Sequence, residues 1–240
     1  MILSDETDYA EVIENKLIIG DIKFSKDIRS LKKKKIEAVV DLCHYKDIKS
    51  RVKYSHEMDI LYYPVHDTPT NNIEWAEEAS KFIENEIQKG KKVFVHCYYG
   101  ISRSSTLVLH YLMTRCNMKL KNAFELLKQK RSIICPTFGF LKGLSELDYQ
   151  LYNEISFPAR NYAINCIKEV FPSAGIDEVE QFYGESEKKV KDDNDELIKE
   201  LKEKVDFTKI EPIGFVCIEL LKKKYSLVKR EGCVVHHPFE

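Results

Sequence analysis

No stretch of this 240-residue chain is long and apolar enough to cross a bilayer. Its first residues, Met1-Ile2-Leu3-Ser4-Asp5-Glu6-Thr7-Asp8, are acidic and lack the pattern of a secretory signal or a mitochondrial presequence. Neither charge is in excess: 38 Lys and Arg face 39 Asp and Glu, for a formal charge of −1, which argues against a chain built to bind nucleic acid. Internal repeats and low-complexity tracts are missing, and so is any Gly/Ser-rich linker near residue 155. The histidines also lack metal-ligand spacing. His96 follows a strand-like run, His110 falls on a predicted helix, and His236-His237 form a tail dipeptide. No metal or other cofactor is therefore expected. The 43% hydrophobic content suffices for a core in one domain, or in one domain plus an appendage. Free thiols suit a reducing compartment, so a cytoplasmic location is expected, with the nucleus also open. The basic run Lys32 to Lys35 reads as a solvated helix end rather than an import signal.

What the chain does have is concentrated between residues 93 and 115. Val93 to His96 read as a short buried strand, and Ser102 to Arg115 as a helix with Leu107, Val108, Tyr111 and Leu112 at helical spacing. Between them lies a Cys97-(five residues)-Arg103 loop. Amides at a helix N-terminus have no intrahelical partner, and with the helix dipole they favour an anion. Those of Tyr98, Tyr99, Gly100, Ile101, Ser102 and Arg103 can thus converge on a phosphate. The same surroundings favour a thiolate, the nucleophilic form of Cys97. Arg103 offers a planar fork for two phosphate oxygens, and Gly100 lets the loop turn. The Ser104 hydroxyl can donate to the cysteine sulfur as it leaves a phosphoenzyme. With seven cysteines in the chain, a chance match to these residue types at these offsets is on the order of 10⁻⁵, so coincidence is set aside.

The segment His96-Cys97-Tyr98-Tyr99-Gly100-Ile101-Ser102-Arg103-Ser104 resembles the His-Cys-x-x-Gly-x-x-Arg-Ser signature of cysteine-dependent protein phosphatases, the dual-specificity branch most closely. The likeness runs over about residues 15 to 155. Leu17 to Asp21 and Ile36 to Leu42 are similar to the first two strands of the family, Ile60 to Asp67 to the strand leading to its general-acid loop, and Arg131 to Leu141 to its helical half. The resemblance implies a protein tyrosine phosphatase-like α/β fold. A central, mostly parallel sheet would be flanked by helices, with a helical C-terminal extension beyond. One position departs from the family: Thr137 stands where asparagine is usual. Threonine can still cap the following helix, but its side chain has no amide to offer the phosphate loop.

Phosphate ester cleavage needs a proton for the leaving oxygen. Asp67 ends the extended run Leu61 to His66 and precedes the turn-rich Thr68-Pro69-Thr70-Asn71-Asn72. Read alone it is a turn residue; with the resemblance it becomes the general acid. Asp59 and Asp47 are the rivals. The implied reaction is displacement by Cys97 with Asp67 as acid, then hydrolysis of the phosphocysteine with Asp67 as base.

The interior of the loop carries no Lys or Arg, which favours phosphoprotein over inositol lipids or RNA 5′ ends. Tyr98 and Tyr99 fit either an aromatic rim or simple packing. Three alternatives stay open. The first is a phosphatase of a non-protein phosphate, including a glycan. The second is a weakly active phospho-binding module, against which Cys97, Arg103 and Asp67 argue. The third is rhodanese-like sulfur transfer, which leaves Asp67 and Arg131 to Phe140 unexplained. Cys43, after the second strand, is either a buried apolar residue or a partner for a reversible disulfide with Cys97. Cys116, Cys135, Cys166 and Cys217 read as buried structural cysteines.

The organisation expected is a catalytic domain over residues 1–155 and an extension over 156–240. In the extension, helices are predicted over 157–171, 176–205 (highly charged) and 212–228. Docking on the catalytic domain, binding of a partner and self-association are all compatible with its composition. The missing flexible linker favours docking.

Overall fold

The computed structural model describes residues 8–44, 54, 58–68, 71–192, 195–204 and 212–225. Strands β1 (Tyr9–Ile13), β2 (Leu17–Gly20), β3 (Ile36–Asp41), β4 (Asp59–Tyr62) and β5 (Lys92–His96) form one sheet in the order β1-β2-β5-β3-β4. Only β1 and β2 pair antiparallel; β2–β5, β5–β3 and β3–β4 are parallel. The expected mostly parallel α/β fold is the one observed.

Parallel strands are covered on both faces, which is why they read as unbroken apolar runs. Their alternation sorts the side chains. Leu17, Ile19, Ala38, Val40, Val93 and Val95 enter the larger core beneath helices α3 (Trp75–Gln88), α4 (Arg103–Arg115), α5 (Leu120–Lys130) and α6 (Phe138–Tyr152). Ile18, Val39 and Phe94 face the smaller core, closed by Ile22 and Phe24 of α1 (Ile22–Lys26) and Leu31 of α2 (Ile28–Lys33). Every parallel strand ends at the same edge of the sheet. Ligands of open α/β sheets bind outside such carboxyl ends, and Cys97 follows β5 there, between β2 and β3.

Several expectations need correction. The strand expected to run from Ile60 to Asp67 pairs only over Asp59–Tyr62, because Pro64 has no N–H for the ladder. Beyond it the chain stays tied to the exit of β3 through Tyr63 N–H to Asp41 O (2.9 Å) and Val65 N–H to Leu42 O (3.3 Å). The charged helix expected over 176–205 is two helices, α8 (Ile176–Val190) and α9 (Glu196–Lys204). The second starts where the Asp195 carboxylate accepts the Ile198 amide at 3.2 Å. Cys116, expected to be buried, is exposed, since it lies just past the end of α4. The Lys32–Lys35 run does end α2, as expected.

The extension does not hang free. Phe157 stacks on Phe124 of α5, with centroids 4.7 Å apart, and Tyr162 meets the same ring edge-on at 5.8 Å. Ala163, Ile164 and Ile167 of α7 (Ala159–Val170), with Cys217, Ile218 and Leu221 of α10 (Pro212–Tyr225), join the cluster that contains α4, α5 and α6. Ile167→Ala is therefore expected to cost about 2–5 kcal/mol in one cooperative urea transition. Two separate transitions would instead make the extension an independent unit.

His110 of α4 is buried against α3, its Nδ1 2.8 Å from Ser80 Oγ. Burial pushes its imidazole from 6.5 down to about 4. The native state thus resists a proton that the unfolded chain accepts, and the resulting stability is lost as pH falls from 6.5 towards 4. Urea titrations across that window should show a pH slope that flattens in His110→Gln by up to about 1.4 kcal/mol per pH unit. An unchanged slope would mean that His110 is charged in the native protein.

Candidate active site

Four successive carbonyls of the loop after β5 are held from outside. Tyr98 O accepts Ile22 N–H at 3.1 Å, and Ile101 O accepts Cys135 N–H at 2.9 Å. Between them Arg131 donates from Nε to Gly100 O (2.8 Å) and from Nη2 to Tyr99 O (3.4 Å). A trans peptide points its N–H opposite to its C=O, so anchoring these carbonyls outward turns the amides of residues 99–102 to the inner side. The Gly100 amide shows the result, donating to Cys97 Sγ at 3.3 Å. Gly100 has φ of +67°, and a Cβ there would meet Gly20 O at 2.6 Å, so only glycine closes the turn without strain.

Cys97 lies at the bottom, 1% exposed, with Ser104 Oγ 3.4 Å from its sulfur. Helix α4 begins at Arg103, so its N-terminal end points into the loop. Arg103 is buried, and its Nη1 donates to Val65 O at 3.2 Å and Leu42 O at 3.5 Å. This fixes the guanidinium between the exits of β3 and β4. Asp67 stands over the same spot: its Oδ2 lies 3.4 Å from Arg103 Nε, and its Oδ1 accepts from Ser102 Oγ at 2.7 Å. The structure thus brings Cys97, Arg103, Ser104 and Asp67 to one place. Asp59 is not there; it lies at the far end of the sheet in an ion pair with Lys91. Asp47 lies outside the described residues.

Thr137 occupies the N-cap position of α6 without a side-chain cap, contrary to the capping expected of it. Its hydroxyl instead donates to Thr68 O at 3.4 Å, and its amide donates to Ser102 Oγ at 3.1 Å. Position 137 therefore supports the loop through its backbone amide, beside Arg131, rather than through a side-chain amide. Arg131, Thr137 and the Ser102 hydroxyl clamp the loop and its carboxylate together, and sequence reasoning assigned none of them this task. The available signal was Arg131 itself, an arginine that opens the family-like stretch to Leu141. The two tyrosines separate: Tyr98 packs against the smaller core, while Tyr99 is 55% exposed and meets it edge-on at 4.7 Å.

Behind the loop, His96 is fully buried, and burial pushes its imidazole below the ordinary histidine range. The network assigns the neutral tautomer. Nδ1–H donates to Cys97 O (3.2 Å), and Nε2 accepts from Tyr54 OH (2.6 Å). Asp41, Cys43 and His96 converge closely enough to suggest a metal. Their donors are already engaged, however. Asp41 Oδ1 accepts the Cys43 amide at 2.9 Å, and burial, aided by the Asp41 charge, pushes the Cys43 thiol up. The Nε2 atom of His96 is taken by the Tyr54 hydroxyl and Asp41 Oδ1 by the Cys43 amide, so the cluster serves the protein's own hydrogen-bond network.

The model of the family described as "Dual specificity phosphatase, catalytic domain" matches residues 17–150. Dual specificity protein phosphatase 1-A of Xenopus laevis is 46% identical over 89 residues, covering 37% of this chain and 24% of that protein. Dual specificity protein phosphatase 2 of Mus musculus is 34% identical over 139 residues, covering 56% and 42% respectively. Among solved structures, human tyrosine phosphatase-like serine/threonine/tyrosine-interacting protein superposes with a TM-score of 0.57 at 26% identity, over 61% of this chain and 98% of that one. The chain spans about a quarter (24%) of the length of the first curated relatives it matches.

Replacing Arg131 with Met removes the clamp on two carbonyls while keeping most of the bulk. Charged hydrogen bonds contribute about 1.5–3 kcal/mol each, so calorimetric affinity for inorganic phosphate should fall about tenfold or more. Undiminished affinity would show that the loop holds its shape without the clamp.

Proposed function

The chain belongs to the dual specificity phosphatase catalytic-domain family, and from that premise we propose that it hydrolyses phosphotyrosine and phosphoserine or phosphothreonine esters of proteins. The observation that carries this reading is a sulfur with an amide and a hydroxyl directed at it, at the bottom of an outward-anchored loop whose Ser102 holds Asp67 beside Arg103.

Each step follows from a group in place. The Cys97 thiolate attacks phosphorus, forming the S–P bond. The ester P–O bond breaks, and the leaving oxygen takes the Asp67 proton. The inward amides and the Arg103 fork take up the charge on the phosphoryl oxygens. Water then attacks the phosphocysteine and gives its proton to the Asp67 carboxylate. The Ser104 hydroxyl donates to the departing sulfur, 3.4 Å away. Ser102 holds Asp67 over the loop through both half-reactions.

The uncharged interior of the loop, from Tyr98 to Ser102, supports a phosphoprotein over a polyanionic inositol or RNA substrate. Residues 1–155 form the catalytic unit in this reading, and 156–240 an extension that braces it. A cytoplasmic or nuclear setting keeps the nucleophile reduced. No helix among the described residues is long and apolar enough to cross a membrane.

Turnover of a phosphopeptide and of an aryl phosphate tests the assignment. Cys97→Ser should abolish it. Asp67→Asn should lower kcat about 10²–10⁴-fold and remove the fall of kcat/KM at high pH, where the acid loses its proton. Ser102→Ala should lower kcat about tenfold with a smaller change in KM, since it frees a carboxylate without removing it. An Asp67→Asn profile that still falls at high pH would move the acid elsewhere.

A further inference from the structure

We propose that His44 and His66 are positioning residues for the general acid: the His66 ring, stacked on the His44 ring, holds the acid segment so that Asp67 meets the leaving oxygen of the substrate. The inference rests on the phosphatase reading and deepens it, by giving a task to two side chains that the reading does not use.

His44 is the platform. It lies three residues past the end of β3, and the chain leading to it is pinned at each step. Leu42 N–H donates to His96 O at 3.0 Å, Leu42 O accepts from Val65 N–H at 3.3 Å, and the Cys43 amide donates to Asp41 Oδ1 at 2.9 Å. His44 is 7% exposed. Its ring meets that of His66 with centroids 3.7 Å apart and planes 40° from parallel. Flat π rings at such a separation attract beyond the area they cover. His66 is an exposed residue, and the contact gives its ring a fixed side.

The position of His66, next to Asp67, gives the stack its consequence. The Asp67 carboxylate is held by Ser102 Oγ at 2.7 Å and by Arg103 Nε at 3.4 Å. The second contact does not persist through the reaction, because the guanidinium turns to the phosphoryl oxygens and Asp67 carries the proton it will donate. A stack of two rings engages no group that the substrate needs, so it survives that exchange. It keeps the backbone beside Asp67 in place while the ion pair is given up. The His66 carbonyl, which accepts from Asn71 Nδ2 at 2.6 Å, carries the same order into the turn that follows.

Leaving-group dependence isolates this task, since 4-nitrophenolate departs with little help from a proton donor and phenolate depends on it. The test compares kcat/KM of the full chain on 4-nitrophenyl phosphate and phenyl phosphate. His66→Ala should lower the phenyl ester about tenfold and the nitrophenyl ester less than about threefold, with affinity for inorganic phosphate unchanged. His66→Phe keeps a ring and should retain both rates. His44→Ala should show the same split, and the double variant should fall no further than either single one, as partners in one contact do. In an Asp67→Asn background, His66→Ala should add nothing. The pairing is overturned if His66→Ala lowers both esters equally or neither, or if His66→Phe falls as far as His66→Ala. It is also overturned if the two single effects multiply in the double variant, or if His66→Ala still acts in the Asp67→Asn background. The His66 variants decide the matter even where His44→Ala, at a buried site, fails to fold. Each of these results leaves the phosphatase reading standing, whereas an unaltered chain that turns over neither ester ends that reading and the pairing with it.

Discussion

The outward anchoring of four loop carbonyls is the constraint on which the rest of this site depends. A loop of bare amides at a helix N-terminus has many conformations, and most of them scatter its donors. Ile22, Arg131 and Cys135 come from three separate segments, and each takes hold of one or two carbonyls between Tyr98 and Ile101. Peptide planarity then does the rest, because a carbonyl fixed outward leaves its amide facing inward. The donors are arranged before any ligand arrives, which is what electrostatic stabilisation of a developing charge requires.

The carboxylate side of the pocket follows the same logic. Asp67 is borne on a segment that has left the sheet, so sheet hydrogen bonds no longer define its position. Ser102 and Thr137 supply the definition instead: Ser102 Oγ accepts from the Thr137 amide and donates to Asp67, while the Thr137 hydroxyl reaches Thr68 O. Phosphate loop, acid loop and the start of α6 become one hydrogen-bonded unit. The threonine that departs from the family pattern keeps its place at the centre of that unit, through its backbone amide and a shorter reach.

How much of this could be read from residues alone depended on the range of the interactions. Val93 to His96 and the helix after Arg103 were legible because burial on both faces and helical spacing leave local patterns, and the Cys97-to-Arg103 spacing carries its chemistry within seven residues. Strand β1 was missed: only one of its five residues is buried, and it exists because β2 offers an edge. The break between α8 and α9 depends on Asp195 acting as a cap inside a run that otherwise looks uniformly helical. The clamp of Arg131 on Gly100 and the bond from Ser102 to Asp67 span 31 and 35 residues, distances over which a single sequence shows no pairing. Cys116 was misread because a cysteine at a helix end escapes the burial that its type usually finds.

The central claim is geometric, and a crystal structure with tungstate bound in place of phosphate tests it most directly. The account predicts the anion directly above Cys97 Sγ, with the amides of residues 99–102 and the Arg103 guanidinium donating to its oxygens and the Tyr98 to Ile101 carbonyls still turned away. An anion bound elsewhere, or a loop in which any of those carbonyls faces the oxygens, would contradict it.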